Sequence, residues 1–410
     1  MKYLLVIGDG MADNPVPELD GMTPLRYAEK PVIDRLASEG ETGSVVNCPP
    51  ELPAGSETAI LSIFGCDPRR YFTGRAPQEA AALGIPLDDG DVCYRCNIVT
   101  MDSGDMPYEE KRILSHSAGS ISGADALEVV SILNGSPEFA GLLKEMNMEI
   151  PPVATFRPLA VAHSSPLSGT VLIPPHDHLG EKCGPLLPKG GARAEDFTKL
   201  QKTANAILEK HPFNERRTAE GKMPANGIWL WAEGTAVKLP DFVRQYGHSG
   251  AVVSAVPVVH GIGALRGLEK VEVEGATGEI DTNFEGKLEA AWSRLQEYDF
   301  VCLHLEAPDE CTHNGDLKGK IQAIEWLDSR LTAPLVSRLE ESGEDYRILL
   351  LSDHKTLTSN RGHDGDPAPY LLFDSRKRKE NGHICFDEET CLKGEFIPDG
   401  STLLSRLFGQ

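Results

Sequence analysis

Leu4-Leu-Val-Ile-Gly-Asp9-Gly-Met11 sets a carboxylate directly after an unbroken apolar run, with a glycine on either side of it. Such a run is the pattern of a strand covered on both faces, and in open α/β sheets the carboxyl ends of the strands share one ligand-binding edge. The arrangement recurs downstream. His304-Leu-Glu-Ala-Pro-Asp309-Glu-Cys-Thr-His313 closes the apolar run that begins at Phe300. Leu349-Leu-Leu-Ser-Asp353-His354 closes another, and His363 follows within a glycine-rich loop. Residues far apart in the chain can therefore meet at one sheet edge.

Working outward, apolar runs predict strands over 3–7, 227–231, 251–256, 300–305 and 348–351, and helical periodicity predicts helices over 28–39, 56–65, 194–210, 284–297 and 317–342. Strand-then-helix alternation predicts an α/β fold with a mostly parallel sheet. The stretch 105–188 reads differently, with a helix over 124–133, strand-like runs over 152–162 and 170–173, and dense proline and glycine at its distal edge. It predicts a smaller α+β domain inserted into a core formed by 1–104 and 189–410.

The formal net charge of −22 over 410 residues argues against nucleic acid or a membrane surface as partner, since both reward basic patches. A small anionic substrate stays compatible, because a few arginines can hold one locally. No apolar run approaches the roughly 20 residues needed to span a bilayer, and the run after Met1-Lys2 is too short for a signal peptide. Nine scattered cysteines suit a reducing compartment, so a cytoplasmic location is expected. Cys93 and Cys96 form the sole CxxC; with no second pair they are read as buried thiols.

Asp309 and His313, at i and i+4, share one face of a helical turn, which suits a common metal ion. Burying the adjacent Asp353 and His354 would cost several kcal/mol unless they are paired or metal-bound. Ser56, in Pro53-Ala-Gly-Ser56-Glu-Thr58, opens a helix whose free N–H groups attract an anion. Taken singly, a turn aspartate and an N-cap serine explain such residues as well. Arg157, Arg216, Arg217 and His178 are candidates for holding phosphate or carboxylate, each with a plain surface role as the competing reading. A nucleotide site has little support, since Gly315-Asp-Leu-Lys-Gly-Lys320 lacks the phosphate-loop spacing. The glycines from His260 to Gly267 miss the dinucleotide fingerprint by one residue.

The order Asp9, Ser56, Asp309-x-x-x-His313, Asp353-His354, His363 is specific as a set. Together with Gly21-Met-Thr-Pro-Leu25, Gly65-Cys-Asp-Pro68, His211-Pro-Phe-Asn-Glu-Arg-Arg217 and Glu274-Gly-Ala-Thr-Gly278, it resembles the archaeal-type, 2,3-bisphosphoglycerate-independent phosphoglycerate mutases of the alkaline phosphatase superfamily. The resemblance covers essentially the whole chain. It implies an alkaline-phosphatase-like three-layer core and two divalent metal ions, with manganese, zinc, magnesium and cobalt all suited to the donors. Asp9, Ser56, Asp353 and His354 would hold one ion, and Asp309, His313 and His363 the other. Ser56 would carry phosphate transiently while 2- and 3-phosphoglycerate interconvert in glycolysis and gluconeogenesis, and the inserted domain would act as a lid over this small phosphorylated hydroxy acid. Two positions depart from the family pattern. Trp231-Ala-Glu-Gly234 stands where relatives usually show Arg-Gly-x-Gly, and Lys355 stands where they have serine. These departures keep open a related phosphotransferase acting on another small acceptor, such as a homoserine kinase, or a phosphatase. Oligomeric state is not legible.

Overall fold

The computed structural model describes residues 1–410 and divides into two units, Met1–Phe72 with Lys238–Gln410, and Thr73–Val237. The first is built on an eight-stranded sheet in the order Glu395–Ile397, Glu41–Val45, Ala368–Asp374, Tyr346–Leu351, Lys2–Gly8, Phe300–Leu305, Gly250–Val253, Glu269–Val271. Every neighbouring pair is parallel except those made by Ala368–Asp374, which runs against both of its neighbours. The sheet is therefore mostly parallel, as expected. Its central strands, Lys2–Gly8, Phe300–Leu305 and Tyr346–Leu351, are almost wholly buried, which explains their unbroken apolar composition. The register pairs Gly8 with Leu305 and Ile7 with Leu351, so Asp9, Glu306 and Ser352 leave the sheet at one edge.

The helix expected over 317–342 is continuous but carries a π-helical turn, Leu327–Thr332, between Leu317–Trp326 and Ala333–Ser342. Pro334 lacks an N–H and its ring would clash with the carbonyl four residues earlier; the widened turn absorbs both. In the same turn the buried Asp328 accepts the N–H of Ile33 at 2.7 Å, capping the start of helix Pro31–Glu39.

The second unit is wider than the 105–188 expected for the insertion. Its antiparallel sheet centres on Val92–Met101, which pairs with Gly227–Thr235 along one side and with Leu159–Ala162 and Ile113–Ser115 along the other. The strand at 227–231 and the helix Ala194–Glu209 thus belong to this unit and not to the parallel core. A strand buried on both faces has the same composition in either sheet, so pattern alone assigned them to the wrong body. No strand forms over 170–173, where Val171 makes only an isolated bridge to Lys189.

All nine cysteines are unpaired. Cys93 packs with Ala76, Ile85 and Val161, whereas Cys96 packs in a separate cluster with Val130 and Phe197. Three residues apart on one strand, they face opposite sides of the sheet and cannot share a metal ion.

Candidate active site at the sheet edge

Asp9 follows its strand into a turn at Gly10, whose φ of 58° lies in the left-handed region. A Cβ at Gly10 would stand 2.7 Å from Asp309 Oδ1, so glycine is needed there for space as well as for conformation. The Gly10 N–H donates to Asp353 Oδ1 at 3.0 Å, and the His354 N–H donates to the same oxygen at 2.8 Å. Asp353 Oδ2 and Asp9 Oδ1 are left buried without a hydrogen-bond partner.

Ser56 begins the helix Ser56–Ile63 and is half-buried. That helix is tied at its C-terminal end. The fully buried Arg266 guanidinium bonds the Phe64 carbonyl beyond its C-terminus. Ser62 Oγ donates to the Asn47 carbonyl at 2.6 Å, while Asn47 Nδ2 donates to the Asp353 carbonyl at 2.8 Å. So placed, Ser56 Oγ lies 3.4 Å from Asp9 Oδ2 and 3.3 Å from His354 Nε2.

Asp309 and His313 occupy the helix Ala307–His313, with His313 Nε2 3.1 Å from Asp309 Oδ2. His363 lies on the short strand Gly362–Asp364, opposite Thr356, with Nε2 3.4 Å from Asp309 Oδ1 and 2.9 Å from His313 Nε2. His313 Nδ1 donates to the Arg361 carbonyl at 2.8 Å, which leaves Nε2 facing the cluster. Arg361 adopts a φ of 58°, unusual for a residue with a side chain, at the position that presents this carbonyl.

Three sets of three donors able to hold one ion result, Asp309 with His313 and His363, Asp9 with Asp309 and His354, and Glu306 with Asp309 and Glu310. The charges show that a cation fits. Burial, then Asp353, Asp309 and Glu306, push the Asp9 carboxyl well above its usual range. Burial also pushes Glu306 up to about 8, with Glu310 and Asp309 adding to it. For Asp309 burial acts in the same direction, but the bonds from His313 and His363 outweigh it and hold the carboxyl below its ordinary value. His313 is raised to about 9 by Asp309, whereas burial holds His354 below the usual imidazole value. Crowded buried carboxylates with orphaned oxygens, beside imidazoles whose outer nitrogens are already bonded, match the donor chemistry of divalent metal sites.

Thr356 was not among the residues singled out from sequence. Its hydroxyl donates to Asp309 Oδ1 at 2.5 Å and lies 3.2 Å from His354 Nδ1. The strand Lys355–Leu357 follows His354 directly, and two-residue alternation, which puts Thr356 on the side of His354, was the available signal.

Within the second unit the four remaining candidates part company. Arg217 is buried and donates to Asp125 Oδ2 at 2.5 Å, to the Met223 carbonyl and to the Ala118 carbonyl. Exposed Arg216 pairs with Glu128 at 2.9 Å and Asp125 at 3.3 Å. His178 stands 3.2 Å from Glu181. Arg157, just before the strand Leu159–Ala162, is half-buried among aromatic rings and lies 3.5 Å from Glu79. Its Nε donates to Asn97 Oδ1 at 3.3 Å, and its guanidinium carbon lies 4.9 Å from the Phe156 ring centroid and 5.6 Å from that of Trp231. Arg95 stacks on the same tryptophan at 4.6 Å and bonds Glu79. His176 lies 5.1 Å from Trp231, ring to ring, so it and not His178 joins this group.

Fold and site together define an α/β protein with a serine-centred, metal-capable cluster at the carboxyl edge of a parallel sheet. A family model for 2,3-bisphosphoglycerate-independent phosphoglycerate mutase matches residues 37–214. The curated enzyme of that name from Methanosarcina barkeri is 41% identical over 394 residues, 96% of each chain. A probable one from Geobacter sulfurreducens is 40% identical over the full length of both. A solved structure from Pyrococcus horikoshii aligns over 100% of this chain and 98% of its own at 30% identity, with a TM-score of 0.78. The cofactor-independent phosphoglycerate mutase of Thermoplasma acidophilum has the same fold, with a TM-score of 0.65 at 24% identity over 99% of each chain. The chain belongs to the 2,3-bisphosphoglycerate-independent phosphoglycerate mutase family.

Proposed function

We propose that the chain is an isomerase that interconverts 2-phosphoglycerate and 3-phosphoglycerate by way of a phosphorylated Ser56. The observation that carries this reading is the Ser56 hydroxyl, at the start of a helix and within 3.4 Å of both Asp9 Oδ2 and His354 Nε2. Asp9, Ser56, Asp353 and His354 would hold one divalent cation, and Asp309, His313 and His363 a second. Such cations lower the pKa of a serine hydroxyl and offset the charge of a phosphoryl group in transfer. Ser56 takes the phosphoryl group from the donor and returns it to the other hydroxyl of glycerate, and the free N–H groups at the start of its helix would attract the phosphate oxygens.

Glycerate must stay bound between the two transfers and water must stay out, or the enzyme becomes a phosphatase. We assign this lid role to the unit Thr73–Val237 and, within it, the substrate's carboxylate or phosphate to Arg157. The test is a rapid quench of turnover with substrate labelled at phosphorus, followed by peptide mapping. Label on Ser56 is expected, and an unlabelled Ser56 in an enzyme that is turning over would remove it from the reaction.

A further inference from the structure

His304 lies within the strand Phe300–Leu305 with no exposed surface, and both nitrogens of its ring are engaged. Ser254 Oγ accepts the N–H of Val256 at 3.0 Å and stands 3.1 Å from His304 Nδ1. As a carboxylate Asp9 can only accept from Nε2, which leaves Nδ1 to accept the proton of the Ser254 hydroxyl. The ring proton then sits on Nε2, which donates to Asp9 Oδ2 at 3.0 Å. Lys287 Nζ donates to the His304 carbonyl at 3.2 Å and steadies this end of the strand. At the far end of the chain of bonds, Asp9 Oδ1 is buried and accepts no hydrogen bond, with His354 Nε2 3.6 Å away.

We propose that Ser254 and His304 form a positioning relay that holds Asp9 by Oδ2 and turns Oδ1 toward a divalent cation. This rests on the metal-site part of the reading above. A carboxylate held by one oxygen is restricted in its rotation, so its free oxygen meets the ion with less reorganisation. Groups that orient metal ligands in this way typically contribute 10- to 100-fold in affinity. The relay reaches Asp9 alone, whereas Asp309 and His313 have partners of their own in Thr356 and Arg361. Its loss should therefore weaken one ion site and spare the other. A histidine that only filled space would alter thermal stability and leave both affinities alone.

The experiment is cobalt(II) titration of the metal-stripped full-length protein, followed by visible absorption and calorimetry, for wild type, His304→Leu, His304→Gln and Ser254→Ala. Two sites are expected in the wild type. His304→Leu should weaken one by about 10- to 100-fold and spare the other. His304→Gln, whose amide N–H can still reach Asp9, should recover most of the loss, and Ser254→Ala should shift the same site by less. Unchanged affinities in His304→Leu, or equal weakening of both sites, would overturn the relay. If His304→Leu does not fold, Ser254→Ala decides, and unchanged affinities there overturn the relay too. A wild type that takes up no cobalt would overturn the metal reading itself, a failure distinct from that of the relay.

Discussion

Thr356 Oγ donates to Asp309 Oδ1 at 2.5 Å while standing 3.2 Å from His354 Nδ1, so one hydroxyl joins the two groups of candidate ligands. It accepts from the imidazole and donates to the carboxylate, which fixes the rotation of both. Thr356→Val keeps the shape and removes the link. The expected result is a 10- to 100-fold loss of activity or metal affinity, with about 1–3 kcal/mol lost from stability, measured by turnover, metal content and denaturant unfolding. Wild-type turnover with intact metal binding would show that the link does nothing.

Ser56→Ala should abolish turnover and leave fold and metal content nearly intact. Ser56 is half-buried at a helix start, and its hydroxyl is only loosely bonded, at 3.3–3.4 Å. Steady-state assay with elemental analysis checks this, and retained activity would exclude Ser56 as nucleophile.

Metal removal should lower stability as well as activity. Without a cation, Asp9, Asp353 and Asp309 repel one another, and Asp9 and Asp353 each keep a buried oxygen that accepts no hydrogen bond. Binding to the folded state alone adds about 2.7 kcal/mol at a ligand concentration 100 times Kd. Thermal unfolding of chelated protein, with and without added manganese, should therefore show a clear rise on addition. No shift, together with full activity of the stripped protein, would exclude metal from the reaction.

Arg217 is expected to matter for stability and not for substrate. Burial by itself raises the Asp125 carboxyl, but Arg217, Lys222 and Arg216 together bring it below the ordinary value. A carboxyl lowered on folding stabilises above its unfolded value of about 3.9, and this contribution is lost as pH falls through the folded value. Arg217→Ala should cost roughly 1–3 kcal/mol with KM unchanged. Asp125→Asn should remove the matching share of acid sensitivity below about pH 4, read from melting curves. A raised KM at unaltered stability would return Arg217 to the substrate.

Much of this site was legible because its side chains come within a few residues of the ends of buried strands, where composition changes abruptly from apolar to ligating. Asp9, Asp309, Asp353 and His354 stand out for that reason, and strand order carries them to one edge. The bonds between them were not legible. Thr356 meets Asp309 through a tertiary approach of segments 47 residues apart, and His304 reaches Asp9 across 295. The ion pairs of Arg216 and Arg217 were hidden for a related reason. Nothing local marks Arg217 as spoken for, since Asp125 lies 92 residues away. The extent of the second unit was hidden because the pattern of 227–231 identifies a buried strand but not the sheet that buries it.

The most direct test of the account is conversion of 3-phosphoglycerate to 2-phosphoglycerate by the purified, manganese-loaded protein, with neither nucleotide nor 2,3-bisphosphoglycerate present and free phosphate followed in parallel. The account predicts isomerisation without phosphate release. A folded, metal-loaded protein that does not isomerise, or that only releases phosphate, would contradict it.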